Sequence, residues 1–314
     1  MIERVLHRVM REIVMTAAAL APAERRRQIR RRARGREDTF RLQRSDYAIV
    51  SYGKSGRTWL NVMLSRFFQL RHKLPAHDLF FFDNLHAKNK AIPKILFTHD
   101  NYIRDYTGAG ATKVAFYNKP TILLVRHPAD VSVSQFFQWQ HRMPAHKKVL
   151  NEYPAHGADI SVADFVLNAD AGLPRAVRFL NEWAKELPRM KNVLIVRYED
   201  IRRDPNGELK RMLNWMKQSP TDDEVSQSVE FAAFENMRKL EEGSSSTWLS
   251  GKRLAPGKKG DTNSYKVRRA KIGGYHDYFD DEQTRQIDEY VAKHLDPVFG
   301  YGTDASPTTE RQAS

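Results

Sequence analysis

Four short apolar runs are separated along the chain by stretches of helical periodicity. Tyr47 to Tyr52, Lys94 to Asp100, Pro120 to Val125 and Val193 to Val196 each have the length and content of a buried β-strand. After the first run, Trp59, Leu60, Val62, Met63, Leu64 and Phe67 recur at helical spacing. Leu173 to Leu187, Gly207 to Met216 and Asp280 to His294 show the same period, and a further helix begins at Pro128, a residue suited to a first turn. Strands alternating with helices predict an α/β chain whose mostly parallel central sheet is flanked by helices. Pro120 to Val125 is almost wholly apolar and belongs near the centre of that sheet. Phe179, Trp183, Leu213 and Trp215 are assigned to the core.

Polar residues gather where these strands end: Gly53-Lys54-Ser55-Gly56, Thr98-His99-Asp100, Arg126-His127-Pro128-Ala129-Asp130 and Arg197-Tyr198-Glu199-Asp200. Parallel sheets bind ligands at the carboxyl ends of their strands. The first of the four lies between a strand and a helix, an arrangement that holds phosphate. Backbone N–H groups and the positive helix end attract the anion, Lys54 adds a charge, and Ser55 and Thr58 add hydroxyl donors. The spacing is not that of a Walker A loop, because Gly53 directly precedes Lys54. The expected architecture is a P-loop-like three-layer sandwich.

The ends of the chain differ in character from this body. In residues 1 to about 20, Ile2, Val5, Leu6, Val9 and Ile13 share one helical stripe, with Glu3, Arg4, Arg8, Arg11 and Glu12 mostly opposite. Arg25, Arg26, Arg27, Arg30, Arg31, Arg32, Arg34 and Arg36 follow. Such a region suits peripheral contact of residues 1–36 with an anionic membrane, and equally a helix docked on the protein's own body with a solvated basic face. The glutamates fit a signal peptide poorly, and no aromatic residues are interleaved among the arginines to stack nucleic-acid bases. The chain divides into a basic N-terminal region (1–44), an α/β domain (45–300) and a disordered tail (301–314). Residues 241 to 266, rich in Gly, Ser and Lys, are a candidate lid.

The net charge of +14 favours anionic partners. The lack of cysteine excludes disulfides, thiol catalysis and cysteine metal sites, and accords with a cytoplasmic location. No histidine spacing calls for a metal, and no apolar run reaches transmembrane length.

Three segments resemble the motifs of the sulfotransferases that use 3′-phosphoadenosine 5′-phosphosulfate (PAPS), of the cytosolic type and its bacterial relatives. Tyr52-Gly53-Lys54-Ser55-Gly56-Arg57-Thr58-Trp59 resembles their 5′-phosphosulfate loop. Arg126 to Ser134 resembles their 3′-phosphate motif, with Arg at its start and Ser eight residues on. Arg268-Arg269-Ala270-Lys271-Ile272-Gly273-Gly274-Tyr275 resembles a loosened form of the third. The resemblance implies that PAPS is the co-substrate, leaving adenosine 3′,5′-bisphosphate (PAP). It implies that Lys54, Ser55, Gly56, Arg57 and Thr58 hold the 5′-phosphosulfate, that Arg126, Ser134, Arg268 and Arg269 hold the 3′-phosphate, and that Trp59, Tyr198 and Phe234 contact adenine. His99, matching the family's Thr-His at the second strand end, is implied as general base, so the catalytic set is Lys54, His99 and Ser134. Phe97 stands where the family has Lys, and Arg57 can supply that charge from a position where the family has Thr.

Two other functions compete. A P-loop phosphoryl-transfer enzyme calls for Walker A spacing and magnesium carboxylates, for which Glu199-Asp200 is the nearby pair. A basic membrane- or nucleic-acid-binding protein needs no Lys54, Arg126 and His99 together at strand ends. The acceptor is expected to offer a hydroxyl or amine on a carbohydrate, glycolipid or polar lipid, because Phe136 to Ile160 carries Trp139, His141, Arg142, His146, Lys147 and Lys148 in a segment expected to be irregular and to line the acceptor site.

Overall fold

The computed structural model describes residues 16–243, 260–265 and 271–301, together with residues 9, 12–14, 257, 258, 268 and 269. Strands β1 (Tyr47–Ser51), β2 (Ile95–Thr98), β3 (Thr121–Val125) and β4 (Val193–Arg197) form one parallel sheet in the order β2-β1-β3-β4. Ile49 pairs in register with Ile122, and Leu123 with Ile195. Side chains alternate between the faces of a strand, and two cores result. Ile49, Ile95, Ile122, Leu124 and Val196 face one, Ala48, Val50, Leu96, Leu123 and Val125 the other.

Helices cover both faces, so β3 is buried along its whole length. On the first face lie α2 (Arg57–Arg71), α6 (Pro205–Trp215) and α7 (Asp222–Phe231), contributing Leu60, Met63, Phe67, Leu213 and Val225. On the second lie α3 (Pro128–His141), α4 (Leu173–Glu186) and α9 (Asp281–His294), contributing Val133, Leu180, Trp183 and Ile287. Two more helices complete the frame of the site: α5 (Tyr198–Arg203), directly after β4, and α8 (Phe234–Gly243).

The arginine-rich segment is itself a helix, α1 (Ala23–Arg44), which starts after Pro22. Its buried stripe is Gly35, Thr39 and Leu42. Gly35 lies so close to the Tyr102 carbonyl that a Cβ would come within 2.1 Å of the oxygen. Arg31 donates to the carbonyls of Asn101 (3.2 Å) and Leu150 (3.0 Å) and pairs with Asp105 (3.0 Å). The helix therefore docks on the protein's own body, while Arg25, Arg32 and Arg36 face outward. Ile2, Val5 and Leu6 lie outside the described residues.

Three expectations change. The segment from Phe136 onward is ordered, since α3 runs to His141 and a short helix spans Ala145–Leu150. Trp139 and Lys148 do not line an acceptor site. Trp139 is 1% exposed and donates to the Pro154 carbonyl (2.9 Å), and the Lys148 ammonium is buried 4.5 Å from its ring. Helical spacing puts Trp139 three residues from Phe136, on the face that meets Phe165. Tyr301, read from sequence as tail, donates its hydroxyl to the buried Glu199 (2.6 Å). Of the expected lid, residues 244–256, 259 and 266 lie outside the described residues.

Candidate active site

The order β2-β1-β3-β4 places the switch in winding direction between β1 and β3, where a parallel sheet opens a crevice at its carboxyl edge. The Lys54 loop leaves β1 and Arg126 leaves β3, so the two lie side by side. Lys54 and Gly56 adopt φ of 73° and 92°, the left-handed geometry from which anion-binding nests are built. Gly56 is required twice: for that φ, and because a Cβ would lie 2.6 Å from the Tyr198 ring. The loop ends at the N-terminus of α2, which has no side-chain cap and no acidic residue in its first turn. Its first N–H groups are thus left to an anion. Ser55 is buried at the base of the loop, and Arg57 and Thr58 sit half-buried on the first turn.

Arg126 ties this loop to the third motif. It donates through Nη1 to the Lys54 carbonyl (3.3 Å) and through Nη2 to the Lys271 carbonyl (3.1 Å). Its guanidinium lies 4.4 Å from the centre of the buried Tyr198 ring. Its Nε is buried and has no hydrogen-bond partner among the described residues. A buried donor left in this way costs free energy unless something accepts from it. With the uncapped helix N-terminus, it supplies donors suited to phosphate oxygens. Trp59 meets Tyr198 edge-on at 5.9 Å and donates to the Ala232 carbonyl (2.9 Å), which brings the start of α8 and the half-buried Phe234 beside it. Ser134 is half-buried on α3, eight residues beyond Arg126.

Two further sequence-predicted residues diverge. The Arg268 guanidinium lies 3.9 Å from the Phe137 ring centre, bonds the Tyr278 hydroxyl, and is close enough for its charge to act on Lys54. Arg269 is turned to Asp277 (2.6 Å) and the Tyr278 hydroxyl (3.3 Å). Phe97 packs against Phe80 at the edge of the first core, so no cation stands in its place.

His99 is held across the strands. Its Nδ1 lies 2.7 Å from the Ser51 carbonyl oxygen at the end of β1. A carbonyl can only accept, so Nδ1 carries the proton and Nε2 carries the basic lone pair of the neutral ring.

Sequence reasoning missed two charges. Arg142, just past α3, was read as part of the acceptor segment, and it donates to the Ser264 carbonyl (2.6 Å). Glu241 of α8 is fully buried. The available signal for Glu241 is its place one turn after Met237, a carboxylate on an apolar stripe. Both act on Lys54. Burial presses its ammonium down to about 7; Arg142, Arg126 and Arg268 add to this, and Glu241 opposes it. A bound phosphate dianion pulls that pKa back up. Nucleotide binding above pH 7 is therefore expected to take up a proton, and affinity to fall as pH rises through this range. Calorimetry at about pH 8 in buffers of different ionisation enthalpy should read an uptake approaching one proton, absent in Lys54→Arg. Proton-neutral binding by the native chain would contradict the low pKa.

The uncapped loop and the Arg126 crevice at a parallel-sheet switch point define the class: an α/β protein built around a phosphate-binding loop. The sulfotransferase-domain family model matches residues 44–299, and the chain belongs to that family. It is a PAPS-dependent sulfotransferase. Among curated relatives it is 24% identical to the flavonol 4′-sulfotransferase of Flaveria chlorifolia, over 82% of each chain. It is 21% identical to the amine sulfotransferase of Oryctolagus cuniculus, over 82% of this chain and 83% of that one. The fold is shared with a mouse sulfotransferase complexed with PAP, at 20% identity and a TM-score of 0.52, covering 79% of this chain and 83% of the other. A retinol dehydratase in a complex with retinol and PAP has the same TM-score at 16% identity, covering 80% and 81%.

Proposed function

We propose that this enzyme sulfates a hydroxyl or amine of a glycan, glycolipid or polar lipid at the cytoplasmic face of an anionic membrane. The reaction rests on one observation: Lys54, Arg126 and His99 converge at the carboxyl ends of β1, β3 and β2. PAPS, when bound, supplies an activated sulfuryl group and departs as PAP. Lys54 places positive charge where the bridging oxygen gains electrons. His99 Nε2 takes the proton of the acceptor hydroxyl. Ser55, Gly56, Arg57 and Thr58 hold the 5′-phosphate with the first turn of α2. Arg126 and Ser134, assisted by Arg268 and Arg269, hold the 3′-phosphate, and Trp59, Tyr198 and Phe234 enclose the adenine.

The membrane assignment is supported by the exposed residues of the N-terminal region. Val9, Ile13 and Leu20 are 48%, 58% and 94% exposed and recur at helical spacing, and the outward arginines Arg25, Arg32 and Arg36 follow. An apolar stripe continued by arginines suits a lipid interface with anionic headgroups. Among the described residues no helix is long and apolar enough to cross a membrane, so contact would be peripheral. The chain is expected to float with anionic vesicles at low ionic strength and to be released as salt screens the charges. A chain that ignores such vesicles at low salt contradicts the assignment.

Transfer from sulfur-labelled PAPS into a lipid or polysaccharide extract tests the acceptor. Label in either extract supports the reading. Label passing only to small phenols or amines, the classes that the two curated relatives' names suggest, overturns it.

A further inference from the structure

Asp130 begins α3 one turn after Arg126 and is 4% exposed. A carboxylate in a first helical turn is favoured by the helix dipole, which alone would account for it. Its oxygens, however, are committed elsewhere. Oδ2 accepts from the Gly273 N–H (2.9 Å) and Oδ1 from the Tyr275 N–H (3.0 Å), both in the third motif. Oδ2 also lies 3.4 Å from Nη2 of Arg126, which in turn donates to the Lys271 carbonyl. Arg126 and Asp130 thus grip residues 271–275 as a pair, one taking a carbonyl and the other two amides. The Tyr275 ring completes the grip by stacking on His127 (5.2 Å, 6° between planes).

Charge alone makes Asp130 a liability here, since a carboxylate beside a phosphate site repels the phosphate. Its geometry gives it a use. It aims the Arg126 guanidinium and pins the third motif against the second.

We propose that Asp130 is the positioning residue that assembles the 3′-phosphate site, and so sets the preference for nucleotides carrying that phosphate. The proposal rests on the assignment of Arg126 to the 3′-phosphate made above. The two explanations of Asp130 predict opposite signs. If only charge matters, Asp130→Asn binds PAP more tightly. If Asp130 positions Arg126 and the loop, the substitution weakens PAP.

Calorimetric titration with PAP and with adenosine 5′-monophosphate, which lacks the 3′-phosphate, separates them. Asp130→Asn is expected to weaken PAP about 10- to 100-fold, the size of one charge-assisted hydrogen bond, and the monophosphate by no more than about threefold. Asp130→Glu keeps the charge but misplaces the carboxylate, and is expected to lose the same discrimination. Tighter PAP binding in Asp130→Asn overturns the proposal. So does equal weakening of both nucleotides, which marks a general structural role, and so does failure of both variants to show a cooperative melt. A native chain that does not distinguish the two nucleotides overturns the Arg126 assignment itself, and the proposal with it. A native chain that does, beside variants that still do, overturns only the role of Asp130.

Discussion

Removing the His99 imidazole is expected to slow sulfuryl transfer about 100- to 10,000-fold while leaving PAP affinity unchanged, the range for loss of a positioned general base. His99→Ala alone would be ambiguous, because it also strips the Ser51 carbonyl of its 2.7 Å donor. An unpaired buried carbonyl costs about 1–3 kcal/mol. His99→Asn is the cleaner variant, since its side-chain amide can still donate to Ser51 while offering no base. The two together separate the roles. Slow transfer in both, with a normal melt in His99→Asn, assigns the chemistry to Nε2. Undiminished transfer of label in His99→Asn would place the base elsewhere.

Arg126→Ala is expected to weaken PAP by about 2–5 kcal/mol, the cost of truncating one partner of a buried charged pair. This exceeds what a lone phosphate contact supplies, for three reasons visible in the structure. Two carbonyls, of Lys54 and Lys271, lose their donor. Asp130 is left without its cation (3.4 Å), so an unbalanced carboxylate remains beside the phosphate. The Tyr198 ring loses the guanidinium that packs on it. Adenosine 5′-monophosphate should lose less than PAP, because it makes no 3′-phosphate contact. Calorimetry with both nucleotides checks this, and equal losses would mean that Arg126 serves the loop rather than the phosphate.

The features legible from the chain alone are local. The Val193–Val196 run, the helix opened by Pro128 and the alternation of strands with helices are legible because short-range periodicity reports which faces are buried. The Lys54 loop is legible because strand, turn and helix N-terminus follow one another within a few residues, and so do Arg126 and Ser134. The sequence also left open whether the arginine-rich helix docks on the body, and only packing decides that it does, with Arg25, Arg32 and Arg36 still facing outward. Gly35 against Tyr102, and Arg31 on the carbonyls of Asn101 and Leu150, join segments about 70 and 120 residues apart, which no periodicity records. The same reason hid the core role of Trp139, whose partner Phe165 lies in another helix. It hid the buried Glu241 and the partly buried Arg142 that act on Lys54, and the amides of Gly273 and Tyr275 on Asp130. The Lys54 loop and Arg126 meet because the sheet order sets β1 beside β3, and the third motif joins them through the contacts of Arg126 and Asp130.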